Sequence, residues 1–507
     1  MAQWSNKPFV YQINTCVWLN TLSRLHGKEI TLSNVPDSAL DEIARPSIDI
    51  IWLMGVWTRS TWGHKNALRY KHEYRGALPD LTDNDVIGSA YAIADYVVEE
   101  RIGGRTGLAA LRKRLKARGL NLMLDYVPNH VAIDHPWLDM HADYIVQGKP
   151  EDVKNRPDDF FIRKRPRGKV IAFAHGRDPL FSGWADTAQL NVFNPALREA
   201  VKKTLLDIAS QCDAVRCDMA MLLMNDIFAG TWRGFVGAAP QLEYWREIIP
   251  HIKAWYPDFM FIAEVYWDKE YDVLQLGFDY AYDKTLYDRI MEGNVPKLRQ
   301  HLVAGIEYQQ HMMRFIENHD EPRAYAMLGH ERSFAAATLI CTLPGAALLH
   351  DGQFTGRKVK LPVQIKRQPE EELHKDLAAY YEKLLREARD PIYQKGDWYL
   401  FQMRPISEGN HSYQNLLAYG WYERGRDYRL IVINLTPHSS QGRVDLSAWH
   451  WLAGAEWTLS DVTDDMKYER PGGVMTQEGL TILLDAYESH IFRFEPVATA
   501  ELAGAAD

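Results

Sequence analysis

The chain of 507 residues carries 67 Asp and Glu against 58 Lys and Arg, a formal charge of −9, and is 46% hydrophobic and 25% charged. Those values are ordinary for a globular protein but the length exceeds one compact core, so two or three domains are expected. The charge leaves no basic footprint for nucleic acid and no polybasic segment for a membrane surface, which favours a neutral or small substrate.

The N-terminal "MAQWSNKPFVYQINTCVWLN" has no positive segment followed by an apolar run and passes almost directly into a strand pattern, so no signal peptide is read. "IDIIWLMGVW", Ile48 to Trp57, reads as a buried strand. Thr106 then fits an N-cap for a helix with Leu108, Leu111 and Leu115 on one face, closed by Gly119, and "LNLMLDYV" follows as a strand. Residues 131–190 are rich in Pro, Gly, Lys and Arg without a clean period, which marks an insertion beside a site. Asn194 and Pro195 form an N-cap and N1 pair for a helix with Leu197, Val201, Leu205 and Ile208 inward, and "DAVRCD" is the next strand.

A helix carrying Leu242, Trp245, Ile249, Ile252 and Trp255 leads to "FMFIAEV", an apolar strand that ends in a carboxylate, Glu264. "MMRFIE" and "GAALLH" are further strands. The most apolar stretch, Phe334 to His350, is broken by Thr338, Thr342, Pro344 and Gly345, so it reads as a core helix and a strand rather than a membrane span. Pro369 and a run of glutamates open a helix with Leu373, Leu377, Leu384 and Ala388, stopped by Pro391. Beyond it "WYLFQM", "YRLIVINL" and "ESHIFRFEP" are strands without a helical period, which indicates a separate antiparallel domain. Cys16, Cys212, Cys217 and Cys341 show no CxxC spacing and lie in or beside apolar runs, so reduced thiols and a cytoplasmic location are expected.

Repeated strand-then-helix units predict a parallel sheet, open or closed into a barrel, whose strand ends gather on one face. Four strands end in chemistry: Asp125, Asn129 and His130 in "LMLDYVPNH"; Arg216 and Asp218 in "AVRCDMA"; Glu264; and Asn318, His319 and Asp320 in "FIENHDEPR". A lone strand-end carboxylate is usually a cap or a satisfied hydrogen-bonder. Three carboxylates with an arginine and two histidines suit glycosidic cleavage, which needs one carboxylate as nucleophile and one kept protonated as acid.

The ordered set "DYVPNH", "AVRCDMA", "FIAEV" and "ENHD" resembles the α-amylase family of retaining α-glycoside hydrolases and transglycosylases. The resemblance implies a (β/α)8 barrel formed by residues 1–130 and 191–390, an inserted domain at 131–190 and a C-terminal β-sandwich at 391–507. It implies Asp218 as nucleophile, Glu264 as acid/base and Asp320 as the third carboxylate, with His130, His319 and Arg216 around the same sugar. Asp125 is then expected to hold Arg216, and Tyr91, four residues before Asp95, to stack on the sugar being cleaved. The expected reaction is hydrolysis of α-glucosides or short α-glucans, the alternatives being glycosyl transfer or disaccharide isomerisation, or a non-catalytic barrel used for interaction. No cofactor is expected to be required. Asn129 matches a calcium ligand of the family and Asp186 is the evident further oxygen donor, so Ca2+ stays an open alternative.

The Lys-His pair common after the nucleophile in this family is replaced by Met221 and Leu222, which suggests a more apolar acceptor wall. Trp57, Trp62, Trp137, Trp184 and Trp267 are candidate sugar-stacking residues; Glu321 and Arg323 are expected either to pair at the rim or to touch substrate. HxH and HExxH metal motifs are absent from the sequence.

Overall fold

Eight short apolar runs pair in parallel and close into a barrel: β1 (Phe9–Asn14), β2 (Ile48–Met54), β3 (Asn121–Tyr126), β4 (Ala214–Cys217), β5 (Met260–Ala263), β6 (Tyr280–Tyr282), β7 (Met312–Arg314) and β8 (Ala346–His350). The computed structural model describes residues 4–164 and 170–497; the basic run at 165–169 and the end of the expected C-terminal domain, 498–507, lie outside the described residues. Each strand is covered on both sides, inside by its neighbours' side chains and outside by helices, which is why the runs read as apolar rather than alternating.

Asn194 accepts from the Ala196 N–H, capping the helix Pro195–Gln211 as its sequence predicts. The expected cap at Thr106 is not one. That helix begins at Gly104, behind Gly103 with φ of 113°, a conformation that favours glycine, and Thr106 lies inside its first turn. Leu242 and Leu373 fall outside their helices, Tyr244–Trp255 and Lys375–Ala388, and are solvent-exposed. Strand β6 escapes the sequence reading because "YAY" has only three residues, too few to display a period. The apolar run ahead of β8 is the helix Ala324–Thr342, and among the described residues no helix is long and apolar enough to cross a membrane. All four cysteines are free.

Between β3 and the helix Pro195–Gln211, the chain forms a three-stranded antiparallel sheet (Gln147–Gly148, Val170–Ala174, Phe160–Lys164) and a two-stranded pair, His130–Ala132 with Thr187–Gln189. This excursion returns at the level of His130, because Gln189 is its register partner. After the helix Lys375–Ala388, a six-stranded and a three-stranded antiparallel sheet enclose a second core around Trp449, Phe401 and Phe494. That unit is tied to the barrel by the Trp421 indole, which donates to Thr342 O, and by Glu387, which accepts from Arg429 and Arg493.

Candidate active site

The register of three adjacent strands assembles the centre. Arg216 pairs with Asp125 on β3 and with Ile262 on β5, and Cys217 pairs with Ala263, so Asp218 and Glu264 emerge side by side one residue beyond the strands. Side chains alternate along a strand, so Arg216 and Asp218 share the face that looks into the barrel mouth. Burying a guanidinium there requires partners. Arg216 is fully buried; Nη1 donates to Asp218 Oδ1 at 2.6 Å and Nη2 lies 2.7 Å from Glu264 Oε1, out of line for a hydrogen bond, and 3.6 Å from Asp320 Oδ2. Trp52, Tyr91 and Tyr282 enclose it, with the guanidinium carbon 5.5, 5.3 and 5.9 Å from their ring centres.

Glu264 is 3% exposed. Its Oε2 accepts the Met219 N–H at 2.6 Å and its Oε1 accepts the Tyr266 hydroxyl at 2.8 Å. Met219 has φ of 44°, a left-handed conformation rare for a residue other than glycine, held where its N–H donates to Glu264. Burial pushes the Glu264 carboxyl up to about 7, against the pull of Arg216 and with help from the Asp218 and Asp320 charges. Asp320 goes the other way. Burial opposes its ionisation, yet His319, whose Nε2 lies 2.9 Å from Oδ2, together with Arg216 and Lys360 holds it well below the usual carboxylate range. Part of that carboxylate is open to solvent, with 43% of the side chain exposed, so it faces the cleft.

His319 also meets the Tyr91 hydroxyl at 2.6 Å through Nε2 and the buried Gln12 amide at 2.7 Å through Nδ1. Tyr91 is half-buried with its ring stacked on His319 at 5.2 Å. His130 lies beside the Tyr91 backbone, its ring 5.1 Å from Trp184, with burial pulling its pKa down. The structure therefore brings together Asp218, Glu264, Asp320, Arg216, His319 and Tyr91 as a contact network, with His130 beside it.

Asp125 does not hold Arg216. Its Oδ2 accepts the Gly55 N–H at 3.1 Å, its Oδ1 has no hydrogen-bond partner, and burial raises it to about 6. The backbone register places it opposite Arg216, but the guanidinium turns toward the mouth, where two carboxylates lie closer. Met221 and Leu222 do not form an acceptor wall either: they are 0% and 3% exposed, buried within the short helical turn Ala220–Leu223. Glu321 and Arg323 part company, Glu321 pairing with Lys284 at 3.5 Å and Arg323 with Glu317 at 3.2 Å. Of the five tryptophans, Trp57 is core, donating to Asp125 O; Trp137 packs on His135 and Tyr144; Trp62 and Trp267 are exposed; Trp184 alone lies against a centre residue, His130.

Gln12, Trp52, Tyr266, Tyr282 and Lys360 contribute to the centre and escape the sequence reading. Gln12 carried a legible signal, a polar residue inside the apolar "FVYQIN", the same signal that singled out Glu264. Tyr266 and Tyr282 carried none, since tyrosines are ordinary in core strands. A groove of about 630 Å3, lined by Arg105, Leu108 and Ser210 among others, lies on the barrel's flank and touches none of the strand-end residues.

A calcium ion does not fit at Asn129. Asn129 Oδ1, Asn129 O and Leu190 O converge, but on the side-chain amide of buried Gln189, whose Nε2 donates to them at 2.9, 2.8 and 3.2 Å. The donor nitrogen stands where a cation would, and no carboxylate joins the three oxygens, whereas Ca2+ takes 6–8 oxygens. Asp186 sits at the far end of the same strand pair, its carbonyl accepting the Ile133 N–H. Among the described residues, the one cluster of three groups with metal-binding spacing is Asp461, Asp464 and His490, in the C-terminal sheets.

The sequence model of the α-amylase catalytic domain matches residues 40–399, most of the chain. The chain belongs to the α-amylase family. "Alpha-amylase 3" of Dictyoglomus thermophilum is 24% identical over 303 residues, 55% of this chain and 56% of that protein, so the match spans about half the length of that curated relative. Among solved structures, a maltogenic α-amylase AmyB of Thermotoga neapolitana superposes with a TM-score of 0.67 at 17% identity, covering 97% of this chain and 99% of that one. An α-amylase of Geobacillus thermoleovorans complexed with acarbose gives 0.66 at 18% identity over 98% and 100% of the two chains. At those identities the structural likeness speaks for the α-amylase fold, including the C-terminal sheets.

Proposed function

We propose that the protein is a retaining α-glycoside hydrolase acting on α-glucosides or short α-glucans. The observation that carries this reading is a single guanidinium shared by two carboxyl groups, one of which, Glu264, is held up to about 7. A nucleophile and a protonated acid are needed at once, and this arrangement supplies both near neutral pH. Asp218 attacks the anomeric carbon as a carboxylate while Glu264 gives its proton to the departing glycosidic oxygen. The C–O bond to the leaving group breaks as the glycosyl ester to Asp218 forms. Water then adds to the anomeric carbon, Glu264 takes its proton, and Asp218 leaves; two displacements retain the configuration. Asp320, His319 and His130 hold the sugar's hydroxyls, and Tyr91 meets its ring.

The closeness of Asp218 and Glu264 to one guanidinium suits the retaining geometry, with carboxyls about 5–5.5 Å apart, better than the roughly 6.5–9.5 Å of inverting enzymes. A panel of maltooligosaccharides, sucrose, trehalose and aryl α-glucosides, with the anomer of the first product read by NMR, tests the proposal. Release of α-anomeric sugar supports it, and β-anomeric product overturns the double displacement. New glycosides in place of free sugar would assign the chain to glycosyl transfer.

A further inference from the structure

The connection from β8 to the helix Lys375–Ala388 is long and reaches round past β1. After His350 it passes Asp320, where the Lys360 ammonium donates to Asp320 O, and reaches the segment 80–87 in the connection that follows β2. There it is fastened in register: Val86 bridges Ile365, the Ile87 N–H donates to Gln364 O at 2.7 Å, and the Lys366 N–H donates to Asp85 O at 2.9 Å. Arg367 completes the clasp with paired bonds of 2.8–3.0 Å to Asp85 and Asp80. Ile365 is fully buried in a small apolar core with Tyr74, Leu78, Leu81 and Val86. A segment held by backbone bonds, a bidentate arginine and its own core is a fixed wall rather than a mobile loop.

The wall stands on a definite side. In the proposed reaction the leaving group departs over Glu264, while the sugar that becomes esterified to Asp218 lies between Asp320, His319 and Tyr91. The strap starts beside Asp320 and His319 and ends on the segment that runs into Tyr91, so it spans the end of the cleft occupied by that sugar. Between the strap and the strand end that carries Asn318 and His319 there is a cavity of about 30 Å3, lined also by Asn14, Arg323 and Lys360, so the strap packs closely against that strand end.

We propose that the strap of residues 351–374 makes the cleft a pocket closed beyond one sugar, so that the enzyme removes single residues from the non-reducing ends of α-glucans. This rests on the hydrolase reading above. The decisive comparison uses an aryl α-maltoheptaoside with a free non-reducing end, the same compound with that end blocked by a 4,6-ethylidene group, and an aryl α-glucoside as a test of the chemistry. Cleavage of the glucoside and stepwise glucose release from the free heptaoside, with loss of cleavage on the blocked one, are expected. Cleavage of the blocked compound overturns the pocket while leaving the hydrolase reading intact; silence on all three and on the wider panel overturns the hydrolase reading and the pocket with it. Arg367→Ala, which loosens the clasp without touching the centre, is expected to raise cleavage of the blocked heptaoside relative to the aryl glucoside. An unchanged ratio in a folded variant whose strap is shown by proteolysis to have opened also overturns it.

Discussion

Removing one hydroxyl should move the alkaline limb of the reaction upward. Glu264 at about 7 stands well above its ordinary 4.5, the outcome of burial against the pull of Arg216 and the donors on its oxygens. Tyr266 is one of those donors, its hydroxyl 2.8 Å from Oε1, and a donor favours the ionised form. A hydrogen bond to a charged group is worth about 1.5–3 kcal/mol, and 1.36 kcal/mol corresponds to one unit. Part of the bond survives when the carboxyl is protonated, so Tyr266→Phe should raise Glu264 by about one unit, from about 7 to about 8. The alkaline limb of kcat/KM for an aryl α-glucoside reports this group in the free enzyme. With Glu264 as the acid, about 9% is protonated at pH 8 in the native protein and about half in the variant, whereas nearly all is protonated in both at pH 6. The ratio of variant to native rate should therefore climb about fivefold between pH 6 and pH 8. A limb that stays in place, or moves down, refutes the assignment of Glu264 as the acid tuned by this contact.

Asp218→Asn should lower turnover by roughly 10^4-fold, the scale for loss of a group acting directly in covalent catalysis, with an unchanged circular-dichroism spectrum. Glu264→Gln should raise the melting temperature at pH 8 but not at pH 4. A carboxyl whose folded pKa lies above its ordinary value contributes stability below about 4.5 that is lost as pH rises through about 7, and the neutral amide escapes that loss. Chelation with EDTA should leave both melting temperature and rate unaltered, because the Gln189 amide already satisfies the oxygens around Asn129. Gln189→Glu should destabilise the fold at neutral pH by setting a carboxylate among carbonyl oxygens, and millimolar Ca2+ should restore part of the loss in a thermal melt.

The strand ends were legible in the sequence because burial makes a charge conspicuous. Glu264 after "FMFIA" and Arg216 inside "AVRC" could not be there without partners, and a parallel sheet gathers such residues on one face. The barrel itself followed from alternating units, except for β6, whose three residues carry no period. What the sequence could not convey was which partner each group takes. Asp125 and Arg216 are neighbours in register, and the sequence argument joined them; the side chain chose the mouth instead, where two carboxylates lie closer than Asp125. Met221 and Leu222 were placed on a wall by their distance from Asp218, but a left-handed turn at Met219 folds them inward, and nothing in "DMAMLL" announces that backbone angle. The strap was equally hidden, since its clasp joins Arg367 to Asp80 and Asp85 across 282 or more positions.

The charge balance of the centre explains why the proton resides where the chemistry needs it. Asp125, Asp218, Glu264 and Asp320 surround one guanidinium that cannot be deprotonated, so four carboxylates in this space would leave a large uncompensated negative charge. Asp320 has His319 and Lys360 beside it to favour its ionised form and is partly hydrated; Asp218 takes the aligned hydrogen bond from Nη1. Glu264 is the group left with a shared, misaligned Nη2 and almost no water. It is therefore the carboxyl that retains a proton near neutrality, as the proposed acid must. Adding a private cation beside it, for instance with Tyr266→Lys, should pull the alkaline limb down below 7 and silence the enzyme at neutral pH while sparing activity at lower pH. A uniform loss at all pH values would show that the shared guanidinium does not set the order in which these groups ionise.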